Sequence, residues 1–206
     1  KVELYHFDIR KQLLEYDNVM NKQREAVYIL RNALLDGADI SPRIQIMIDE
    51  SLEEKEAMWC PAKEHPEKWD TAQMVLWLEA TFGVKMEPTG LIGAQGTLSE
   101  TLRLAVDRVY KGRTEQFQSE GVSFKEIERM VLLQVIDMAW KDHLYQLDHL
   151  KQGIGLRAYA QKDPKIEYQK ESFQLFEGMM VRIREETIGF LMRIPAPSEQ
   201  TGKRAS

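Results

Sequence analysis

His143 and His149 each follow an aspartate, Asp142 and Asp148, and imidazoles beside carboxylates are the groups that bind zinc or exchange protons. Six residues apart on a helix, the two rings are rotated by roughly 240° and do not share a face. A partly buried polar seam is therefore expected there, and no metal site. Gly90, Gly93 and Gly96 precede Thr97 at a helix start, a place where backbone amides can cradle phosphate. The lysine of a Walker loop is missing and the spacing fits no dinucleotide fingerprint, so a flexible connection is expected. Cys60 sits beside Pro61 with no base near it in sequence, which gives no support to a thiol nucleophile.

Contact chemistry is better represented than bond-breaking chemistry. The stretch from Lys151 to Lys165 carries two glycines, four cations (Lys151, Arg157, Lys162 and Lys165) and Tyr159 at its centre. A tyrosine buries apolar area with its ring and hydrogen-bonds through its hydroxyl, so it can touch many side chains without demanding a sequence. On composition alone this stretch is either an ordinary surface turn or a contact site. The run Asn21, Lys22, Gln23, Arg24, Glu25 is similarly two-sided: a solvated helix face, or a docking surface for a separate domain.

The elements that position these residues are helices. Ile9, Leu13, Tyr16, Met20, Gln23, Val27, Leu30 and Leu34 alternate spacings of four and three, which predicts one helix over about 7–36, roughly 45 Å long, ended by Gly37. Ser41 and Pro42 signal the start of a second helix with the stripe Ile44, Ile48, Leu52 and Trp59. Pro61 and Pro66 then break the pattern. Shorter units follow: Asp70 with Gln73 and Thr97 with Glu100 read as capping boxes, and Gly83 as a helix end. Ser123 with Glu126 opens a strongly apolar helix through Ile127, Val131, Ile136, Trp140, Leu147 and Leu150. Asp163 and Pro164 start the last one, whose stripe is Phe173, Phe176, Met180, Ile183, Thr187 and Phe190. Two long helices joined by about a dozen polar residues predict an antiparallel hairpin. After Arg193 the periodicity stops and a tail or linker is expected.

Composition bounds the rest. The chain has 206 residues, 43% apolar and 30% charged, as expected of a folded globular chain. A net charge of −5 argues against general nucleic-acid binding. One cysteine leaves no intramolecular disulfide. The longest apolar run, Val131 to Trp140, is interrupted by Gln134 and Asp137 and falls short of the ~18 residues a membrane span needs. A first residue of Lys1 and an immediate helix suggest an excised fragment. The fold class expected is all-α.

Three segments carry a specific resemblance. Residues 7–24, FDIRKQLLEYDNVMNKQR, residues 132–150, LLQVIDMAWKDHLYQLDHL, and residues 150–168, LKQGIGLRAYAQKDPKIEY, resemble hallmark segments of SecA, the ATP-driven motor family of bacterial preprotein export, in the family's order. The resemblance runs to about residue 192 and is weakest over 60–122. It implies a helical scaffold over 1–59, a helical wing over 60–122, a two-helix finger over 123–192 and a flexible tail over 193–206. It further implies that Tyr159 at the finger tip contacts unfolded preprotein, that Arg157, Gln161 and Lys162 meet the SecYEG channel or anionic lipid, and that Asn21, Gln23 and Arg24 face the nucleotide-binding and preprotein-crosslinking domains. The implied location is the bacterial cytoplasm, peripherally at the inner membrane. Asn18 stands where a second aspartate after Asp17 is expected. Walker and helicase motifs are absent from the sequence, so no catalysis and no cofactor are expected of this chain itself. ATP and magnesium are implied only for a parent motor, whose ATPase the finger region would restrain. The alternative is a structural or oligomerisation module, in which the seam from Ile9 to Leu34 pairs with a second copy as a homodimer and the loop is inert.

Overall fold

The computed structural model describes residues 2–94, 96–157 and 163–196, with side chains from Tyr16 onward and none over 155–162. Seven α-helices make up the described residues: α1 (Val2–Leu35), α2 (Ser41–Trp59), α3 (Thr71–Phe82), α4 (Pro88–Gly93), α5 (Leu98–Ser119), α6 (Phe124–Arg157) and α7 (Pro164–Arg193), with a 3-10 turn at Pro66–Lys68. The fold is all-α. It divides into two compact units, one of residues 1–38 and 132–183, the other of residues 39–131 and 184–206.

Local chemistry explains most helix ends. Asp70 accepts from the backbone N–H of Gln73 at 3.2 Å and caps α3, and Asp163 does the same for Lys165 at 2.9 Å at the start of α7. Gly83 ends α3 at φ +70, the left-handed conformation that costs other residues a clash at Cβ. A Cβ added at Gly83 would meet nothing within 4 Å, so backbone strain alone decides the cost of filling it. Gly83→Ala is accordingly expected to destabilise by about 1 kcal/mol in urea unfolding, and no change would show that α3 ends without that turn.

Two expected caps are corrected. Ser41 already lies inside α2, and its hydroxyl reaches Glu128 at 2.7 Å; the Asp39 carboxylate accepts from its N–H at 3.1 Å instead. Thr97 precedes α5 but donates its hydroxyl back to Ala94 O at 3.3 Å. The connection expected around Gly90 and Gly93 is also corrected: both lie in α4, which buries Leu91 completely.

In the second unit α2 packs on α3 and α5, and α3 on α4. Ile44, Ile48 and Leu52 of α2 and Leu102 and Val106 of α5 are buried at a four-residue spacing, the stripe a two-helix seam requires. This is why α2, expected with the scaffold, groups with the middle segment. Glu128 of α6, 1% exposed, accepts hydrogen bonds from the Ser41 and Tyr110 hydroxyls, and its carboxyl is pushed up mainly by burial. The first residues of the expected tail are held as well. Arg113 of α5 donates to the carbonyls of Leu191 and Ile194, and Ala196 is buried.

The first unit is built on three long helices. Between α6 and α7, Ile154 clusters with Tyr168, His143 meets Phe176, and Asp142 pairs with Arg182 at 3.1 Å. As one residue number rises the other falls, so the pair is antiparallel. Against α1 the order is opposite for the two partners. Asp17, Gln23 and Arg31 meet Lys151, His143 and Asp137, which runs α1 antiparallel to α6; Tyr16 and Gln23 meet Tyr168 and Ser172, which runs it parallel to α7.

Candidate functional site

The hairpin of α6 and α7 is the element that carries the expected contact residues. Its connection is shorter than the polar stretch suggested, because α6 continues through Gly153 and Gly155 to Arg157 and α7 starts at Pro164. Burial of Ile154 between Leu150 and the tyrosines offsets the ~1 kcal/mol that each helical glycine costs. Arg157 is the last residue of α6, with its side chain outside what is described; Tyr159, Gln161 and Lys162 lie outside the described residues altogether.

Near the described ends of α6 and α7 the structure places a clasp. Tyr16 of α1 and Tyr168 of α7 stack tilted, with ring centroids 4.3 Å apart, and close over Ile154, with Val19 and Leu150 packed alongside. Lys151 of α6 pairs with Asp17 of α1 at 3.2 Å beside it. The Tyr168 hydroxyl is pushed up to about 12, first by burial and then by Asp17, Asp148 and Tyr16, so it stays protonated through the physiological range. The clasp joins all three long helices close to where α6 hands over to α7.

Seven residues further along α1, the polar interruption of the seam takes an unexpected form. Asn21 is exposed and accepts from Arg24 at 3.4 Å. Gln23 is buried, 8% exposed, and its amide is spent inside the unit: Nε2 donates to Ser172 O at 3.1 Å and Oε1 lies 2.8 Å from His143 Nε2. Of the three residues expected to dock, Gln23 is therefore spent within this unit, while Asn21 is exposed and Arg24 half-buried. His143 is 1% exposed between Trp140 and Phe176, with ring centroids at 5.5 and 5.8 Å, whereas His149 is exposed. The two histidines are not brought together. The seam expected to pair with a second copy is spent internally as well, at Tyr16, Val27 and Leu34.

Sequence reasoning missed both the clasp and the Gln23–His143 contact. The one available signal was Gln23 itself, a polar residue in register with an otherwise apolar four-three repeat. Phe173 and Phe190, expected on the buried stripe of α7, are exposed, because α7 buries Tyr168, Ser172 and Met179 in a stripe displaced from them. The small Ser172 leaves its backbone carbonyl within reach of Gln23. Cys60 is buried and its thiol is raised to about 11, chiefly by burial and then by Glu56 and Asp70, which leaves it inert.

Residues 1–195 match the family model of the SecA Wing and Scaffold domain. The chain belongs to the SecA family. It is 50% identical over 198 residues to the protein translocase subunit SecA of Endomicrobium trichonymphae, covering 94% of this chain and 23% of that protein. The SecA subunits of Elusimicrobium minutum and Geobacter metallireducens are each 40% identical, over 97% and 99% of this chain and 23% of theirs. The chain thus spans about a quarter of the length of the relatives it matches. Among its described residues no helix is long and apolar enough to cross a membrane.

Proposed function

We propose that this chain is the helical module through which a SecA motor transmits movement from its ATPase core to an unfolded preprotein at the SecY channel. The observation that carries the reading is the antiparallel pair of α6 and α7, 34 and 30 residues long, whose connection contains Tyr159 and whose helix ends next to that connection are braced by Tyr16, Ile154 and Tyr168. A residue that pushes on a sliding chain needs a stiff mount and a side chain indifferent to sequence. The braced hairpin supplies the first and a tyrosine the second.

In this reading Tyr159 contacts the preprotein, while Arg157, Gln161 and Lys162 meet the channel or anionic lipid at the cytoplasmic face of the bacterial inner membrane. Asn21 and Arg24, on α1, face the nucleotide-binding and preprotein-crosslinking domains. ATP and magnesium act in those domains, and this module restrains their turnover without performing chemistry of its own. The family membership and the placement of Asn21 and Arg24 outside the core support this division of labour.

The test is Tyr159→Ala in the intact motor. An aromatic contact is worth ~0.5–1.5 kcal/mol beyond area burial, so transport is expected to slow by about two- to tenfold, with Tyr159→Phe close to wild type and helicity unchanged. Transport at the wild-type rate in Tyr159→Ala would remove the substrate-contact role.

A further inference from the structure

The contact between Gln23 and His143 has an internal logic that does not depend on what the hairpin touches. Gln23 gives its N–H to the carbonyl of Ser172 on α7, so the oxygen of the same amide faces α6. The ring nitrogen 2.8 Å from that oxygen, Nε2, must then carry the proton. That leaves Nδ1 of His143 as a bare lone pair, buried and without a hydrogen-bond partner among the described residues. One amide, 8% exposed, thereby ties α1 simultaneously to the side chain of α6 and the backbone of α7, and it does so in a seam that is otherwise apolar.

A buried polar group in an apolar helix seam costs stability wherever its partners are missing, and so it penalises every register but one. Moving α1 by one turn, about 5.4 Å, would leave the amide of Gln23 and the Nε2–H of His143 unpaired together, while the Ser172 carbonyl keeps its bond within α7. The neighbouring buried positions Val27 and Leu34 carry no polar group and set no such condition. The Nε2–H donates to Gln23 in either protonation state, but only the neutral ring avoids a buried charge with no acceptor beside it. A second proton would sit on Nδ1, where no acceptor lies. Of the groups around the ring, α1 offers the neutral Gln23, α7 offers Phe176 and the cation Arg182, and α6 itself offers Trp140. Asp142, the nearest carboxylate in sequence, is engaged by Arg182 at 3.1 Å.

We infer that Gln23 and His143 form a register pin that locks α1 onto the α6–α7 hairpin while the imidazole is neutral and lets α1 shift when the imidazole takes a second proton. Burial first and Arg182 second hold the ring far below its ordinary range, at about 4, in keeping with a pin that is closed at neutral pH and opens on acidification. The device gives the junction two states separated by one proton.

Spin labels at Ile29→Cys on α1 and Phe173→Cys on α7, both exposed in the native chain, report the register directly. The buried Cys60, with its raised thiol, takes no label under native conditions. In the full chain a single narrow distance is expected at pH 7.5, and a second population displaced by about one helical turn, ~5 Å, as the pH falls toward 4. In His143→Gln the acid transition should be absent, whereas in His149→Asn it should persist. Gln23→Leu should show the second population already at pH 7.5. A wild-type distribution unchanged down to pH 4, or an acid transition retained in His143→Gln, overturns the pin. If either variant loses helicity, the wild-type titration decides, together with the imidazole nitrogen shifts of His143: an Nδ1–H tautomer at neutral pH overturns the pin as well.

Discussion

Leu102→Ala is expected to destabilise the second unit by about 3–5 kcal/mol, the largest effect of any single truncation considered for this chain. Leu102 is fully buried on the face of α5 that packs on α2, where Ile44 and Ile48 are also fully buried. Removing the isobutyl group forfeits its transfer free energy and opens a cavity that two long, well-packed helices cannot collapse around. Leu104 provides the control, two residues along the same helix and 55% exposed. Leu104→Ala should stay within about 0.5 kcal/mol of wild type. Urea unfolding of both variants by circular dichroism tests the claim. Equal midpoints would mean that α5 does not bury the face assigned to it.

The second large effect is set by pH. In the unfolded chain His143 titrates near its ordinary 6.5, and in the folded chain near about 4. Above pH 6.5 neither state binds the proton and the fold keeps its full stability. Between 6.5 and 4 the unfolded chain takes up a proton that the folded chain refuses, so stability falls as the pH falls, and below 4 the loss levels off. The gap is worth roughly 3 kcal/mol at ~1.4 kcal/mol per unit. Carboxylates titrate over the same window, so the readout is the difference between wild type and His143→Gln measured in urea at pH 7.5, 6 and 4.5. The wild type should lose about 2–3 kcal/mol more than the variant over that range, the rest of the gap lying below pH 4.5. Parallel curves would show that the ring is not held neutral by its surroundings.

The sequence made the helices and several of their ends readable because those signals are local. Asp70 and Asp163 cap helices within three residues of themselves, and Gly37 and Gly83 adopt positive φ where a helix stops. Ser41 misled because its hydroxyl has a better use, at Glu128, 87 residues away in the chain. Gly153 and Gly155 misled because their flexibility counts for less than the burial of Ile154 between them. The same distinction governs the site. A polar residue in an apolar seam is visible in the sequence, but whether it faces water or a buried partner depends on His143, 120 residues later, and on a backbone carbonyl that carries no side-chain signature. The clasp of Tyr16 on Tyr168 was equally hidden, since each tyrosine read separately belongs to its own helix.

Each of the two units is assembled from two separate stretches of chain, and this sets a timetable during synthesis. Gln23 leaves the ribosome long before Ser172, which lies 149 residues behind it. At ~5–20 residues per second, α1 waits about 7–30 s before its buried face can be covered. Throughout that interval a long amphipathic helix is available to chaperones, or to the same seam on another nascent chain.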